Sequence, residues 1–335
     1  MSLILGIPLT RVIYLVSDSR VTEGGDYKDN MSKWNNLNSR LGVVGAHDLQ
    51  LASYLIREIR KEVGEDDDFG ALEKTLKDKL YQIAYKFYEK TGSYKQRAYL
   101  IFGGFDDSKQ LRISSSDFGI RMAEASKNHR TEGREFNQMT DTRIFEAMSK
   151  ISNENISKGG DGSVDPGTIL EIDAPRPRCV GVRVSFNGQL TEIKWESAEL
   201  YQSISYHPGW DLDRVKLPED IMASLEYPVN NGQLANELDI IFNEYTNIIN
   251  ATRTILDQRG YSQVGGNIIP LRIGDDKTLG IATGSMAKKS NPNKIIGGLK
   301  VVNGALHYYD EEGELHKYEN LIDLPEGDIS TTATI

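Results

Sequence analysis

Ser2, Asp18 and Lys33 bring a hydroxyl, a carboxylate and an amine into the first tenth of the chain. A serine hydroxyl reacts poorly until a base takes its proton. If the bond between Met1 and Ser2 is cut, Ser2 carries a free α-amine with an ordinary pKa of about 7.7–8.0. An amine of that strength works as a base near neutral pH. Ser2 is small, which favours loss of Met1, so the base arrives on the nucleophile's own backbone. No propeptide is expected, so Met1 alone has to go; an amine still capped by Met1 stops this chemistry. Lys33 lowers the pKa of both the amine and the hydroxyl, by repelling one charge and attracting the other. Asp18 holds the Lys33 ammonium and keeps it pointed inward. A tetrahedral oxyanion needs backbone N–H donors, and Gly45 and Ala46, in "GVVGAH", are small residues where a turn can present them.

Other chemistries find little support. The chain has no Walker loop, no dinucleotide glycine fingerprint, no HExxH and no Gly-x-Ser-x-Gly. His47, His129, His207, His307 and His316 lack ligand-like spacing. No metal and no cofactor are expected. The glycines between 159 and 167 read as a flexible loop in preference to a phosphate cradle.

Ser2, the run Asp18-Ser19-Arg20-Val21-Thr22, and Lys33 with the apolar Leu37 after it form a pattern. It resembles the β-type subunits of the proteasome and related N-terminal nucleophile (Ntn) hydrolases. "RLGVVGAHDLQLASYL" is similar to that family's strand, small-residue turn and first helix, "AYLIFGGFDD" to the sheet after its helix pair, and "VGGNIIPLRI" to its late Gly-Gly strand. The resemblance covers residues 2–120 well and about 234–275 loosely.

The resemblance implies a four-layer αββα sandwich of two stacked, mainly antiparallel sheets, in the α+β class. It makes Ser2 the nucleophile, with Asp18 and Lys33 catalytic beside it and Ser19 and Arg20 in support. It gives Thr22 a place on the substrate backbone and puts the oxyanion donor at Gly45 or Ala46. The turn there is shorter than the family's. The family also has an Asp and a Ser before the late Gly-Gly. Here Tyr261 falls where that Asp would, and Val264 directly precedes Gly265, leaving Asp257 and Ser262 as substitutes. The implied activity is cleavage of a peptide or other amide bond through an acyl-enzyme. Transfer of the acyl group to an amine, action on a small amide, and a non-catalytic scaffold or binding subunit stay open as alternatives. A homo-oligomer is expected, and an unfoldase partner is left open.

The elements that must position these residues are readable from periodicity. Residues 3–7 and 12–16 are apolar and β-branched around Pro8, which predicts a buried hairpin ending at Asp18. Residues 21–32 read as a polar loop, followed by a short strand in "LNSRLGVVGA". Leu49, Ala52, Leu55, Ile56, Ile59 and Val63 keep helical spacing behind a capping Asp48. A second stripe runs from about Ala71 to Lys90 and stops at Gly92. "RAYLIFGGF" and "LRISSS" read as two strands joined by a "DDSKQ" turn.

Residues 121–231 read as an insertion. It holds a helical piece near 140–151, strands at 168–173 and 179–186, and an Asn187-Gly188 hairpin into "QLTEIKW". A long helix is predicted over 234–258, then a strand in "NIIPLRI" and an extra carboxy-terminal hairpin in "LKVVNGALHYYD". The whole reads as one domain: a core of 2–120 and about 234–285, the insertion, and a β extension over about 286–335.

The bulk composition is consistent with this. The 335 residues are 39% hydrophobic and 26% charged, ample for a buried core. A net charge of −10 argues against nucleic-acid binding. The single cysteine, Cys179, excludes an internal disulfide and points to a reducing compartment. No apolar run approaches the roughly 18 residues of a membrane span, and the first residues lack a basic stretch ahead of an apolar one. A cytoplasmic location without membrane contact is therefore expected.

Overall fold

The computed structural model describes residues 2–9, 12–23, 26–92, 96–114, 142–165, 167–187, 190–198, 202–207, 210–215, 268–275, 279–281, 300–302, 305–310 and 312–324. It opens with β1 (Ile4–Pro8) and β2 (Val12–Asp18), antiparallel with Ile4 opposite Ser17. Both strands are buried on both faces, which explains their nearly unbroken apolar sequence. The expected hairpin is present. The stretch expected as loop is more ordered: β3 (Val21–Glu23) pairs with β4 (Asp26–Lys28), and β5 (Met31–Ser32) follows. Next come β6 (Trp34–Asn36) and β7 (Gly42–His47), also antiparallel.

Two helices lie where the apolar stripes predict them, α1 (Leu49–Glu62) and α2 (Phe69–Thr91). Asp48 caps α1 by accepting from the Leu51 N–H, and Asp68 caps α2 by accepting from Ala71. Gly92 ends α2 in the left-handed region at φ 56°, with its N–H on the Tyr88 carbonyl.

β8 (Gln96–Ser114) corrects the two-strand reading. "DDSKQ" is not a reversal but an irregularity inside one long strand. Both halves pair with β9 (Ile169–Phe186), and the register shifts between Asp106 and Leu111. The extra residues are absorbed as a bulge. Asp106 is buried and 3.8 Å from the Arg178 guanidinium, and the Asp107 N–H donates to Asp68 at 3.1 Å. α3 (Thr142–Ser157) precedes β9, and β10 (Leu190–Ala198) pairs back onto it as expected. β11 (Ser203–His207) and β12 (Trp210–Val215) form a further hairpin. The chain then contributes β13 (Ile268–Gly274) and β14 (Leu279–Ile281). The expected carboxy-terminal hairpin is β15 (Lys300–Val302) with β16 (Ala305–Tyr309), followed by β17 (Leu315–Lys317) and β18 (Glu319–Asn320).

Two antiparallel sheets make the core. One has the order β12-β11-β1-β2-β13-β14, the other β10-β9-β8-β7-β6. Ile4, Ile13, Leu15, Val44, Ile101, Ile204 and Leu271 pack between them. The second sheet's other face, with Val43, Leu100 and Val182, packs against Leu51, Leu55, Leu72 and Leu80 of the helix pair. This is the expected α+β sandwich of two stacked antiparallel sheets, seen through those sheets and one of its helix layers. The helix expected over 234–258 lies outside the described residues. A Cβ at Gly6 would come within 2.8 Å of Ile101 and 3.2 Å of Cys179, so β1 approaches the second sheet as only glycine permits.

The insertion needs correction. β9 and β10 belong to the second sheet, and β11 pairs directly with β1. Four strands of the stretch read as an insertion, β9 to β12, therefore belong to the two sheets. Sequence distance hid this, because antiparallel pairing has no local signature across nearly two hundred residues.

Candidate active site

Asp18 stands at the end of β2, where the β1–β2 ladder closes with the Leu3 N–H donating to Asp18 Oδ1 at 2.9 Å. That bond fixes the residue next to Ser2 against the carboxylate. Ser19 and Arg20 follow. The Ser19 carbonyl accepts from the Met31 N–H at 3.1 Å, and the Ser19 hydroxyl donates to the Asp29 carbonyl at 3.0 Å. Arg20 makes a two-pronged contact with Asp29, at 2.7 and 2.8 Å. These bonds hold β5 beside the end of β2 and set Lys33 directly across from Asp18.

The Lys33 ammonium donates to Ser2 Oγ at 2.9 Å, to Asp18 Oδ1 at 2.8 Å and to the Arg20 carbonyl at 2.7 Å. An ammonium has three donors, and all three are used. Lys33 is fully buried, with Asp18 1% and Ser2 4% exposed. Burial pulls the Lys33 pKa below its ordinary value, against the opposing pull of Asp18. Burial likewise raises Asp18 above the usual carboxylate range, with Lys33 opposing. Asp18 Oδ2 is buried with no hydrogen-bond partner among the described residues. The structure thus brings together the three residues that the sequence singles out.

A strap from the carboxy-terminal segment braces this arrangement from behind. β18 runs parallel to β5, with Glu319 opposite Met31 and the Glu319 N–H donating to the Asn30 carbonyl at 2.8 Å. Leu321 is fully buried in the helix-side core, and Arg57 of α1 donates to the Leu324 carbonyl at 2.9 Å.

The expected oxyanion donors do not hold up. The Gly45 N–H donates to the Lys33 carbonyl at 2.9 Å as part of the β6–β7 edge, so it is already spent. N–H groups alternate sides along a strand. The Gly45 N–H faces β6, so the Ala46 N–H faces β8, where Ala46 stands opposite Tyr99. The His47 N–H shares Gly45's side and points past the end of β6, along the edge where Lys33 enters.

His47 has φ +76°, the one non-glycine residue with positive φ among those described. That is uncommon for any side chain, though His is among the tolerated types. Sequence reading passed it over because a lone histidine looked unplaced. The signal was its position, between the last strand residue and the Asp48 cap, where the chain has to turn.

Thr22 occupies the middle of β3 opposite Tyr27, and its side chain lies outside the described residues. Asp257 and Ser262 also lie outside them. No helix among the described residues is long and apolar enough to cross a membrane.

No family model matches the chain, and no curated protein does. Among solved structures, a Gly-1 mutant of Anbu from Hyphomicrobium sp. strain MC1 aligns over 84% of this chain and 85% of its own, at 9% identity and a TM-score of 0.34. At that similarity nothing about activity follows, and the chemistry has to be read from the side chains themselves.

Proposed function

We propose that this chain is an amide-bond hydrolase whose nucleophile is Ser2, freed by removal of Met1. The observation that carries the reading is the buried Lys33 ammonium, divided between Ser2 Oγ, Asp18 Oδ1 and the Arg20 carbonyl. A buried ion pair adds little net stability compared with apolar packing, so the sandwich has no structural need of one at this point. A charge held against a serine hydroxyl has a chemical use.

The freed α-amine takes the proton from Oγ as Oγ attacks the amide carbon. Lys33 stabilises the negative charge that develops on Oγ, and Asp18 keeps Lys33 in line. The carbonyl oxygen becomes an oxyanion, for which the His47 N–H is the donor placed on the right edge. The amine then passes its proton to the leaving nitrogen, and the C–N bond breaks. An ester to Ser2 remains; the amine draws a proton from water as that water attacks, and returns it to Oγ as the ester C–O bond breaks and the acid leaves. Peptides or other amides are the substrates that the sequence resemblance implies.

Intact-mass measurement before and after treatment with a β-lactone, followed by peptide mapping, tests this. The expected protein is lighter by one methionine and gains one acyl group on the Ser2 peptide, and Ser2→Ala takes none. A chain that keeps Met1 and stays unlabelled overturns the reading and favours a binding subunit.

A further inference from the structure

Along β7 the side chains alternate between two interiors. Val43 belongs to the helix-side core, and a Cβ on Gly45 would meet Ala52 and Leu321 there. Val44 and Ala46 belong to the core between the sheets. Simple alternation would send His47 to the helix side. Its ring lies instead 5.8 Å from the Tyr99 ring and 6.3 Å from the Tyr206 ring, and both tyrosines belong to the inter-sheet core. The positive φ is what turns it.

Tyr99 and Tyr206 stack on each other with centroids 3.6 Å apart. Tyr206 stands opposite Ile4 on β1, two residues along from Ser2. The imidazole is therefore swung to the face of the sheet that carries Ser2. It is partly exposed there, at the end of a strand whose other residues are all buried.

We propose that the His47 side chain selects the acyl group that Ser2 accepts, favouring short polar acyl groups over bulky apolar ones. This rests on the reading of Ser2 as nucleophile. A substrate has to pass its carbonyl along the β7 edge to reach the His47 N–H. Glycine would leave that edge open, whereas an imidazole backed by two stacked tyrosines fills the space beside the donor. Arg97 and Tyr99 face His47 from β8, Tyr206 faces it from β11, and Asp48 follows it in the chain. Burial first, and then Arg97 and the cation at the chain start, hold the imidazole below its ordinary pKa. At neutral pH it therefore offers one N–H donor and one nitrogen acceptor. That suits a neutral hydroxyl or amide on the acyl chain and gives nothing to a branched hydrocarbon.

Two β-lactones test this, one with a short hydroxyl-bearing acyl chain and one with a bulky branched apolar chain. The readout is the rate of adduct formation on Ser2. His47→Gly keeps the N–H, relieves the backbone and removes the ring. His47→Asn keeps a polar side chain of a type tolerated at positive φ. Wild type should prefer the short polar probe. H47G should shift the ratio of rates toward the bulky probe by about tenfold or more, while H47N keeps the wild-type order. Labelling of Ser2 with the same ratio in wild type and H47G overturns this inference alone. Absence of any Ser2 adduct in wild type overturns the nucleophile reading and this inference with it.

Discussion

Replacing Lys33 by methionine keeps most of the side chain's length and apolar stem and removes its charge. Asp18 is then left 1% exposed with a single donor, the Leu3 N–H at 2.9 Å, and its second oxygen has no partner among the described residues. Ser2 Oγ and the Arg20 carbonyl each lose a donor as well. Breaking a buried pair from one side costs about 3–5 kcal/mol, because the remaining charge stays uncompensated. That is a large share of the roughly 5–15 kcal/mol that holds a typical domain together. Adding Asp18→Asn removes the stranded charge and keeps the oxygen that accepts from Leu3. The double variant should therefore recover about 2 kcal/mol relative to Lys33→Met.

Urea unfolding reads the stability, and the rate of β-lactone adduct formation on Ser2 reads the chemistry. Both variants should acylate about 100- to 1,000-fold more slowly than wild type, the range seen when a donor that stabilises developing negative charge is removed. A Lys33→Met protein that acylates within about tenfold of wild type would refute the role given to Lys33. A double variant no more stable than the single would refute the account of a stranded charge.

The remaining predictions concern the surroundings of the three residues. Gly45→Ala places a Cβ 3.0 Å from Leu321 and 3.2 Å from Ala52, on a residue whose N–H holds the Lys33 carbonyl; a loss of about 1–3 kcal/mol and slower Ser2 acylation are expected, read by thermal melting and by adduct rate. Leu321→Ala opens a cavity under the strap, with an expected loss of about 2–5 kcal/mol and faster hydrogen exchange at Met31–Lys33 than in wild type. Burial holds the folded-state pKa of His47 below its ordinary value of about 6.5. As pH falls, the unfolded chain takes up that proton first, so this group's stability is full above about pH 6.5 and is lost as pH drops through the folded value. His47→Gly should therefore show a smaller fall in urea midpoint than wild type between about pH 7.5 and pH 5.

The amino-acid sequence by itself settled the elements with the strongest apolar periodicity. The apolar runs around Pro8 gave β1 and β2, and the stripes ending at Val63 and Gly92 gave α1 and α2 to within two residues. Side-chain type and spacing along the chain, together with the family resemblance they carry, also picked out Ser2, Asp18 and Lys33, and the structure pairs Lys33 with Asp18 at 2.8 Å.

Tertiary structure decided what depends on partners far away in the chain. "DDSKQ" has a turn's composition, yet β9 offers a continuous edge and the strand runs through it. β11 pairs with β1 across about two hundred residues of chain, and no short-range pattern announces such a pairing. The oxyanion donor we propose is the His47 N–H and not that of Gly45 for the same reason. Small size marked the glycine, but its N–H was claimed by the Lys33 carbonyl, and only the register of β6 on β7 determines which amide remains pointed past the strand's end.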